Sequence, residues 1–347
     1  MPASIHANSA VPDLFRAFRI HAGENHHSAG IEHLSLDDLS AGEVLIKTAY
    51  SSVNYKDALA GTGEGKILRT SPLIGGIDIS GHVVRSEDAR FKTGDAVLVT
   101  GCGLSETRGG GYSEFQRLPA EWVVPLPDNL SLRDAMAIGT AGFTAALSLW
   151  RMLANGQLPS AGPIVVTGAS GGVGTLAIDI FTRAGFEVHA ISGKMAQFEF
   201  LKSLGATAVL DRSSVNFGSR PLESALWAGA LDNVGGAMLS NLCRVIKPWG
   251  SIASCGMAGG NEVHTTVMPF IIRGVSILGI NSANTPMPIR AELWRRLASD
   301  WKPAHLDKIV QSEVPLQGLP EVFTRLISGG ALGRVVVNVA ENSADLK

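Results

Sequence analysis

The residues best suited to chemistry form a glycine-dense turn near the middle of the chain. The turn contains Gly168, Gly171, Gly172 and Gly174. A short apolar run precedes it, and residues 173–184 then place apolar side chains at helical spacing, which predicts a strand, a tight turn and a helix. Glycines let the backbone approach a pyrophosphate closely, and the helix start offers free N–H groups and a positive dipole end. The pattern therefore indicates the binding of a dinucleotide.

In motif form the turn is Ala169-x-Gly171-x-x-Gly174, a variant of the dinucleotide fingerprint with alanine in the first position. A glycine pattern alone says little in a chain with 40 glycines, so the flanking strand and helix carry the argument. The residues predicted to cradle the phosphates are Ala169, Ser170, Gly171, Gly172, Val173 and Gly174.

The strand after this helix indicates which dinucleotide is bound. It covers residues 187–191, and an NAD site usually carries an acidic residue about 20 residues past the turn, where it binds the ribose 2′-hydroxyl. Here that place holds Ser192, followed by Lys194, and Arg212 comes just after the third strand. A hydroxyl and two cations suit a 2′-phosphate, which a carboxylate would repel, so we predict NADPH rather than NADH. The alternative for Lys194 is that it only begins a solvated helix.

The bulk composition fits an enzyme and argues against other classes of protein. A length of 347 residues predicts two domains, and 45% hydrophobic with 17% charged residues is typical of a well-packed soluble enzyme. The net charge of −2, without basic runs, argues against nucleic acid as a partner. No apolar stretch approaches the roughly 18 residues of a membrane span, and the N-terminus lacks the apolar core of a secretory signal.

Cysteine usage indicates the compartment. The three cysteines are Cys102, Cys243 and Cys255. A sparse, odd-numbered set at wide spacing does not form a disulfide framework and is typical of a reducing environment. We therefore predict a cytoplasmic protein.

Segments of strand-like and helix-like pattern divide the chain. Residues 14–130 contain short strands, 122–124 among them, separated by turns, as in a small irregular β-barrel. From 163 to about 281 strands and helices alternate, as a doubly wound parallel sheet requires, and the tail returns to the first pattern. We predict an α/β protein whose domains are a β-barrel domain (1–134), a nucleotide domain (135–287) and a helix with the return to the barrel (288–347).

Further motifs resemble one family closely. They are Asn54-Tyr55-Lys56-Asp57, Gly76-Ile77-Asp78-Ile79-Ser80-Gly81, Ser219-Arg220-Pro221-Leu222, Trp227-Ala228-Gly229-Ala230 and Asp232-Asn233-Val234-Gly235-Gly236. The chain resembles the zinc-free medium-chain dehydrogenase/reductases of the quinone oxidoreductase group. Within that group it is most similar to the YhdH/AcuI branch, the NADPH-dependent acryloyl-CoA reductases. The resemblance covers nearly the whole chain after residue 14.

The resemblance implies a GroES-like β-barrel domain, a Rossmann domain and a cleft between them. It also implies a homodimer in which the strand at 275–280 pairs with its mate and extends the sheet. The sequence supports this pairing, because the strand is apolar and no other segment is expected to cover it.

Zinc members of the superfamily have a Gly-His-Glu motif and a lobe with four cysteines. The matching region here reads Gly-Ile-Asp-Ile-Ser-Gly, and three scattered cysteines cannot form a Cys₄ site. His26 and His27 are adjacent, so their side chains diverge, and a polar surface loop is the better interpretation. We expect no metal.

Chemistry without zinc favours adding hydride to a carbon–carbon double bond that a conjugated carbonyl already polarises. Such a site needs hydrogen-bond donors at the carbonyl oxygen, a proton source and good positioning. The candidates are Asn54, as donor to substrate or nicotinamide ribose, Asp57, directly or through a water in the proton step, and Lys56, which supplies charge to the enolate or steadies Asp57. The alternative is structural, since Asn54 also suits a helix N-cap and Asp57 the helix dipole. Tyr55 is expected to point away into the core.

Further cofactor contacts are predicted from position. By the family resemblance, Thr140 touches the nicotinamide or its phosphates near the domain junction. Gly256, Asn281 and Ser282 follow strands of the nucleotide domain, and ligands gather at the carboxyl ends of such strands. Arg334 begins the last strand and is predicted to reach the cofactor phosphates, with an exposed arginine at the rim as the alternative.

The leading hypothesis is NADPH-dependent reduction of a short 2-enoyl-CoA thioester, acryloyl-CoA first, and its CoA part rests on the branch resemblance alone. A general NADPH:quinone or enone reductase is the second hypothesis, since a quinone needs mainly an apolar slot whereas CoA needs cations at the mouth of the site. A third, from another class, is a non-catalytic NADPH-binding protein.

Overall fold

The computed structural model describes residues 11–23 and 26–340. The strands are β1 (Phe15–Ala22), β2 (His27–Leu34), β3 (Val44–Ser52), β4 (Leu73–Ile74), β5 (Asp78–Ser86), β6 (Ala96–Thr100), β7 (Phe115–Leu118), β8 (Val124–Pro125), β9 (Ile164–Thr167), β10 (Val188–Ser192), β11 (Ala208–Asp211), β12 (Gly229–Asp232), β13 (Ser251–Ser254), β14 (Ser276–Gly279), β15 (Val310–Val314) and β16 (Arg334–Asn338). The helices are α1 (Tyr55–Thr62), α2 (Leu132–Ala154), α3 (Gly172–Arg183), α4 (Phe198–Ser203), α5 (Gly236–Val245), α6 (Met268–Arg273), α7 (Met287–Leu297), α8 (Leu306–Ile309) and α9 (Leu319–Ile327).

The nucleotide domain is built on one parallel sheet in the order β11-β10-β9-β12-β13-β14. Its central strand β9 is a continuous apolar run buried on both faces, as parallel strands covered by helices require. Helix α3 follows β9 after the glycine turn and buries apolar residues from Leu176 to Phe181. The order reverses at β9, so the turn lies at the switch point of the sheet, where such folds bind ligands.

The β domain contains strands from both ends of the chain. Its larger sheet runs β15-β16-β3-β5-β6-β8, with β7 paired to β3, and a smaller sheet runs β2-β1-β4. Aromatic side chains of distant segments pack in its core, including Phe18, Tyr112 and Phe323. The C-terminal strands therefore complete the first domain, as the sequence pattern predicted.

Helix α2 connects the two domains. Ser131 caps its start by accepting a hydrogen bond from the backbone N–H of Asp134 at 3.0 Å. The helix is broken at Gly139, whose φ of 49° and ψ of −159° are not helical. The break turns the backbone N–H of Thr140 towards the β domain, where it bonds to Asp78.

The predicted fold class, a GroES-like β-barrel domain with a doubly wound Rossmann domain, is confirmed. The predicted strand at 122–124 differs, because Ala120–Trp122 form a 3₁₀ turn and only the two residues of β8 pair with β6. The domain boundaries stay a prediction. Within residues 11–23 and 26–340, no helix is long and apolar enough to cross a membrane.

Candidate active site

A cleft of about 970 Å³ lies between the two domains, at the carboxyl edge of the parallel sheet. The residues predicted for the site that line it are Asn54, Lys56, Thr140, Gly171, Gly172, Val173, Gly256, Asn281, Ser282 and Arg334. Segments far apart in the sequence thus meet around one space. Its remaining lining is mainly apolar, with Leu59, Ile67, Ile77 and Ile280 among the side chains.

The glycine turn leaves room for a phosphate and for the start of α3. A Cβ at Gly174 would lie 2.5 Å from the carbonyl oxygen of Gly168, so this position admits only glycine. A Cβ at Gly171 would meet nothing closer than 3.4 Å, which leaves the backbone open towards the cleft. The turn is therefore a cradle at a helix N-terminus and fits a pyrophosphate. Ala169 and Ser170 are buried beneath it.

Ser192, Lys194 and Arg212 come together at the ends of β10 and β11. The hydroxyl of Ser192 accepts a hydrogen bond from the backbone N–H of Lys194 at 3.1 Å, and the Arg212 backbone N–H bonds to the carbonyl of Ser192. The Arg212 guanidinium passes beside Gly193, where a Cβ would lie 3.4 Å from its Nη2. Lys194 Nζ donates to the carbonyl of Ala331, which lines the cleft. The donor set of this corner fits a ribose 2′-phosphate.

The start of α1 places the predicted catalytic residues. Asn54 is its N-cap, and the Asp57 carboxylate accepts hydrogen bonds from the backbone and side-chain N–H groups of Asn54, at 2.8 and 3.2 Å. Asp57 also accepts from the backbone N–H of Ile77 at 3.0 Å and is only 1% exposed. Asn54 thus lies in the cleft wall, whereas Asp57 lies behind it, out of contact with the cleft.

Asp78, at the start of β5, connects this helix to the nucleotide domain. Its carboxylate accepts hydrogen bonds from the Ser52 hydroxyl at 2.5 Å and from the Asn54 amide at 2.8 Å. It also accepts from the Thr140 hydroxyl at 2.6 Å and from the Thr140 backbone N–H. Asp78 is fully buried, so these bonds hold Asn54 and Thr140 on one rigid support. The amide N–H groups of Asn54 are directed at Asp57 and Asp78, so the predicted donation to substrate or nicotinamide ribose finds them engaged within the protein.

Arg334 closes this network from β16. Its guanidinium donates to the backbone carbonyls of Val53 and Ala137, to Asn54 Oδ1 and to the Ser52 hydroxyl. The side chain is 2% exposed, and its donors are directed at protein acceptors. The predicted contact with cofactor phosphates therefore finds no free donor on Arg334. The alternative prediction, an exposed arginine at the rim of the cleft, is wrong because the Arg334 side chain is buried.

Burial, together with the neighbouring Asp78 carboxyl, raises the pKa of Asp57 to about 7. Tyr112 packs against the same network and donates its phenol hydrogen to the carbonyl of Ser52 at 3.0 Å. Burial raises the pKa of the Tyr112 phenol well above its ordinary value. The support beneath Asn54 thus contains an acid that titrates near neutrality, beside a phenol that stays neutral.

Two neighbours of Asn54 differ from expectation. Tyr55 was expected in the core, but it is 47% exposed and lines the cleft, because it occupies the first position of α1, which faces that space. Lys56 was expected to serve an enolate or Asp57, but its Nζ forms an ion pair with Glu106 in the loop after β6. Both members of that pair line the cleft.

Arg290 is a buried support that sequence reasoning missed. Its guanidinium donates to the carbonyls of Thr100, Ser282 and Ala283, which fixes the cleft segment 281–283 against the β domain. The Phe143 ring lies 4.8 Å from its guanidinium carbon. Asp78, Glu106 and Arg290 were missed because each has at least one partner far away in the sequence: Thr140, Lys56 and Thr100. For Asp78 the Gly-Ile-Asp motif was the available signal.

No group of three histidine, cysteine or acidic side chains is placed to hold a metal ion in the part of the chain that the structure describes. His27 begins β2 and His26 precedes it, and neither lines the cleft. The ring of His27 bonds to the carbonyl of Ala60 at 2.9 Å, a structural contact.

Comparison with known proteins agrees with this architecture. Residues 40–128 match the alcohol dehydrogenase GroES-like domain, and residues 172–299 match the zinc-binding dehydrogenase family. The chain is 46% identical over 327 residues to the "Putative quinone oxidoreductase YhfP" of Bacillus subtilis, covering 94% of this chain and 99% of that protein. It is 43% identical over 312 residues to the acrylyl-CoA reductase AcuI of Ruegeria pomeroyi, covering 90% and 94%.

Two solved structures are similar to this chain over nearly its whole length. The yhdH oxidoreductase of Salmonella enterica in complex with NADP has a TM-score of 0.90 at 43% identity, covering 93% of this chain and 99% of that one. Bacillus subtilis yhfP with NAD bound has a TM-score of 0.90 at 45% identity, covering 94% and 99%. The fold and cleft define a two-domain oxidoreductase. The chain belongs to the medium-chain dehydrogenase/reductase family, in its zinc-free YhdH/AcuI branch.

Proposed function

We propose that this protein reduces the carbon–carbon double bond of a short 2-enoyl-CoA thioester, acryloyl-CoA to propanoyl-CoA, with NADPH. The observation that carries the proposal is that the nucleotide turn and the Asn54–Asp78–Thr140 network open into one mainly apolar cleft. The similarity to acrylyl-CoA reductase AcuI supports the choice of substrate.

The cofactor is NADPH, which when bound supplies hydride to the β-carbon of the substrate. The residues that would hold it are Gly171, Gly172 and Val173 at the pyrophosphate, with Ser192, Lys194 and Arg212 at the 2′-phosphate. Ala169, Ser170 and Gly174 shape the turn from beneath. Thr140, Gly256, Asn281 and Ser282 line the cleft beyond the turn, where the nicotinamide end would lie.

Asn54 is proposed to contact the ligands, and Asp57 is proposed to support Asn54. Asn54 lies in the cleft wall and is proposed to border the nicotinamide ribose and the acyl group. Asp57 is proposed to act through Asn54, since its carboxylate holds the Asn54 amide and is itself buried. Arg334 and Asp78 are proposed to keep Asn54 and Thr140 in register across the domain junction.

Tyr55 is proposed to donate a hydrogen bond to the thioester oxygen. As charge develops on that oxygen, an oriented hydroxyl in an apolar cleft stabilises it by a few kcal/mol, on the order of 3. The phenol is one residue from Asn54 and 47% exposed in the cleft. Tyr55→Phe is therefore expected to lower kcat more than it raises KM.

A general quinone or enone reductase is the second candidate, favoured by the similarity to YhfP and by the apolar lining of the cleft. An apolar slot accepts a flat quinone without needing cations for CoA phosphates. The two candidates share the cofactor side of the cleft and differ only in what occupies the substrate side.

The experiment is NADPH oxidation followed by absorbance with acryloyl-CoA, crotonyl-CoA, free acrylate and 1,4-benzoquinone as acceptors. The proposal predicts a kcat/KM for acryloyl-CoA that exceeds the values for acrylate and quinone. Turnover of quinone with none of either thioester would replace it by the second candidate. Binding of NADPH without turnover of any acceptor would favour a non-catalytic protein.

A homodimer is proposed, formed through β14 at the free edge of the parallel sheet. Exposed apolar side chains surround this edge, among them Trp249, Ile271, Ile272 and Ile277. Pairing β14 with its mate would cover that patch and extend the sheet.

A cytoplasmic location is proposed from cysteine chemistry. Cys102, Cys243 and Cys255 are all free thiols. Burial raises the pKa of the Cys255 thiol beside the cleft, which keeps it in the inert protonated form.

A further inference from the structure

The wall of the cleft that faces the proposed acyl group contains an ion pair. Lys56, in the first turn of α1, bonds through Nζ to the carboxylate of Glu106, which lies 50 residues away in the loop after β6. The two side chains are 32% and 26% exposed, and both line the cleft. Leu59, Ile67 and Leu104 line the same cleft, and the backbone N–H of Arg69 bonds to the carbonyl of Glu106 at 2.7 Å. The pair thus lies in an apolar setting that screens its charges less than bulk water does.

The pair is placed to recognise substrate rather than to support the protein. The carboxylate that is nearest to Lys56 in sequence, Asp57, is buried behind α1 and bonds to Asn54 and Ile77 instead. Arg334 also borders the cleft, but its donors are directed at protein acceptors. Arg325 on α9 also lines the cleft, further along its wall. Lys56 is the cation in the first turn of α1, next to Tyr55, and its ion-pair partner is Glu106.

We infer that Glu106 is a specificity-determining residue that cancels the charge of Lys56, so that the cleft accepts a neutral carbonyl group and rejects a free carboxylate. The inference rests on the proposed function, in which the acyl group is presented as a thioester. A thioester or an enone carries no charge at its carbonyl, whereas the corresponding free acid is an anion at neutral pH. An ammonium without a partner would bind that anion through a charge-assisted hydrogen bond.

The test measures binding of propanoate, a carboxylate that undergoes no reaction, to the enzyme saturated with NADP⁺ by calorimetric titration. Glu106→Gln is expected to bind propanoate about tenfold more tightly than the wild type, which matches one hydrogen bond to a charged group. The double variant Glu106→Gln with Lys56→Met is expected to lose that gain. Glu199→Gln removes the carboxylate of another lysine–glutamate ion pair, with Lys202 on α4 and outside the cleft, and is expected to bind as the wild type does.

A second variant examines the same pair with the opposite charge. Lys56→Met leaves Glu106 alone and is expected to bind ethylammonium about tenfold more tightly than the wild type, for the same reason. Circular dichroism confirms that each variant folds, and one folded single variant is enough for a decision.

An unchanged affinity for propanoate in Glu106→Gln, or an equal gain in the double variant, would overturn the inference. So would an unchanged affinity for ethylammonium in Lys56→Met. None of these titrations requires turnover. If the wild type failed to reduce acryloyl-CoA but the titrations succeeded, the proposed function would be wrong and the charge selection would stand.

Discussion

Asp78 accepts hydrogen bonds from two segments that are far apart in the chain, through Ser52 and Asn54 in one and Thr140 in the other. The Arg334 guanidinium lies 3.9 Å from the same carboxylate, and both side chains are buried. Removing one partner of such a pair leaves an uncompensated buried charge, which costs about 3–5 kcal/mol. Asp78 and Arg334 thus connect Asn54 on one side of the cleft to Thr140 on the other, and they are proposed to act without touching either ligand.

Asp57 gives this region a pH dependence. Its pKa is about 7 in the folded protein and near 3.8 when unfolded, so between these values the unfolded chain releases a proton that the folded protein keeps. The free energy of unfolding therefore falls as pH rises from 4 to 7, by about 3 kcal/mol from this group. The side chain in Asp57→Asn does not titrate, so the variant escapes this loss. Its free energy of unfolding, relative to that of the wild type, should therefore rise between pH 4 and pH 7.

Urea unfolding of the wild type and Asp57→Asn at several pH values checks this. A difference in unfolding free energy that stays constant from pH 4 to pH 7 would show that Asp57 ionises normally in the folded protein.

Lys194 and Arg212 should decide between the two nicotinamide cofactors. Loss of one charge-assisted hydrogen bond to the 2′-phosphate is expected to raise KM for NADPH about 10- to 100-fold in Lys194→Ala, and to leave KM for NADH unchanged. Steady-state kinetics with both cofactors measures the effect. Lys308→Ala, an exposed lysine outside the cleft, is the matched control. Equal increases for NADPH and NADH would place Lys194 away from the 2′-phosphate.

Features that depend on short spacing in the sequence could be predicted better than contacts between distant segments. The place of Ser192 and Lys194 at the end of β10 could be predicted because the spacing from the glycine turn is fixed by one strand–turn–helix–strand unit, and their contact with a 2′-phosphate stays a prediction. The hub at Asp78 could not, because it depends on how β5, α1 and α2 meet in space. The side chain of Tyr55 was misplaced for the same reason: a helical pattern gives no direction relative to a second domain.

The break at Gly139 determines how helix α2 contacts Asp78 and Arg334. The residue has a positive φ of 49°, and a Cβ there would lie 2.7 Å from Arg334 Nη2 and 2.7 Å from Asp78 Oδ2. The break both admits the Arg334 guanidinium and turns the Thr140 N–H to Asp78. The sequence predicted a helix from Ser131 but not this break, because glycine alone within an apolar helical pattern is also tolerated for packing.

Gly139→Ala is expected to lower the free energy of unfolding by at least about 3 kcal/mol, since it adds both backbone strain and a clash with a buried ion pair. Gly156→Ala separates the two causes, because Gly156 also has a positive φ of 80° but a Cβ there would meet nothing within 4 Å. That control should lose only about 1–2 kcal/mol. Equal losses in thermal unfolding would mean that the contact with Arg334 and Asp78 contributes nothing.

The two domains were predicted from the change of pattern along the chain, and the return of the C-terminus to the first domain was predicted with them. The structure explains why the return matters: β16 brings Arg334 under Asn54 and the segment 331–333 over the cleft. The cleft is therefore lined by segments from both domains, between Val53 and Val335.

The free edge at β14 makes the oligomeric state testable. Ile277→Lys places a charge in the apolar patch at that edge and is expected to convert a dimer into a monomer, because an unpaired charge cannot be buried there cheaply. Sedimentation equilibrium measures the mass of both proteins. A wild type that sediments as a monomer would contradict the proposed dimer.

The central claim, hydride transfer from NADPH to the β-carbon of a 2-enoyl thioester, is tested most directly by isotope placement. Acryloyl-CoA is incubated with the enzyme and NADPH deuterated at the transferred position, and the product is examined by mass spectrometry and NMR. The account predicts propanoyl-CoA with one deuterium on its β-carbon and a solvent proton on its α-carbon. Deuterium on the α-carbon, or no propanoyl-CoA while a quinone is reduced, would contradict it.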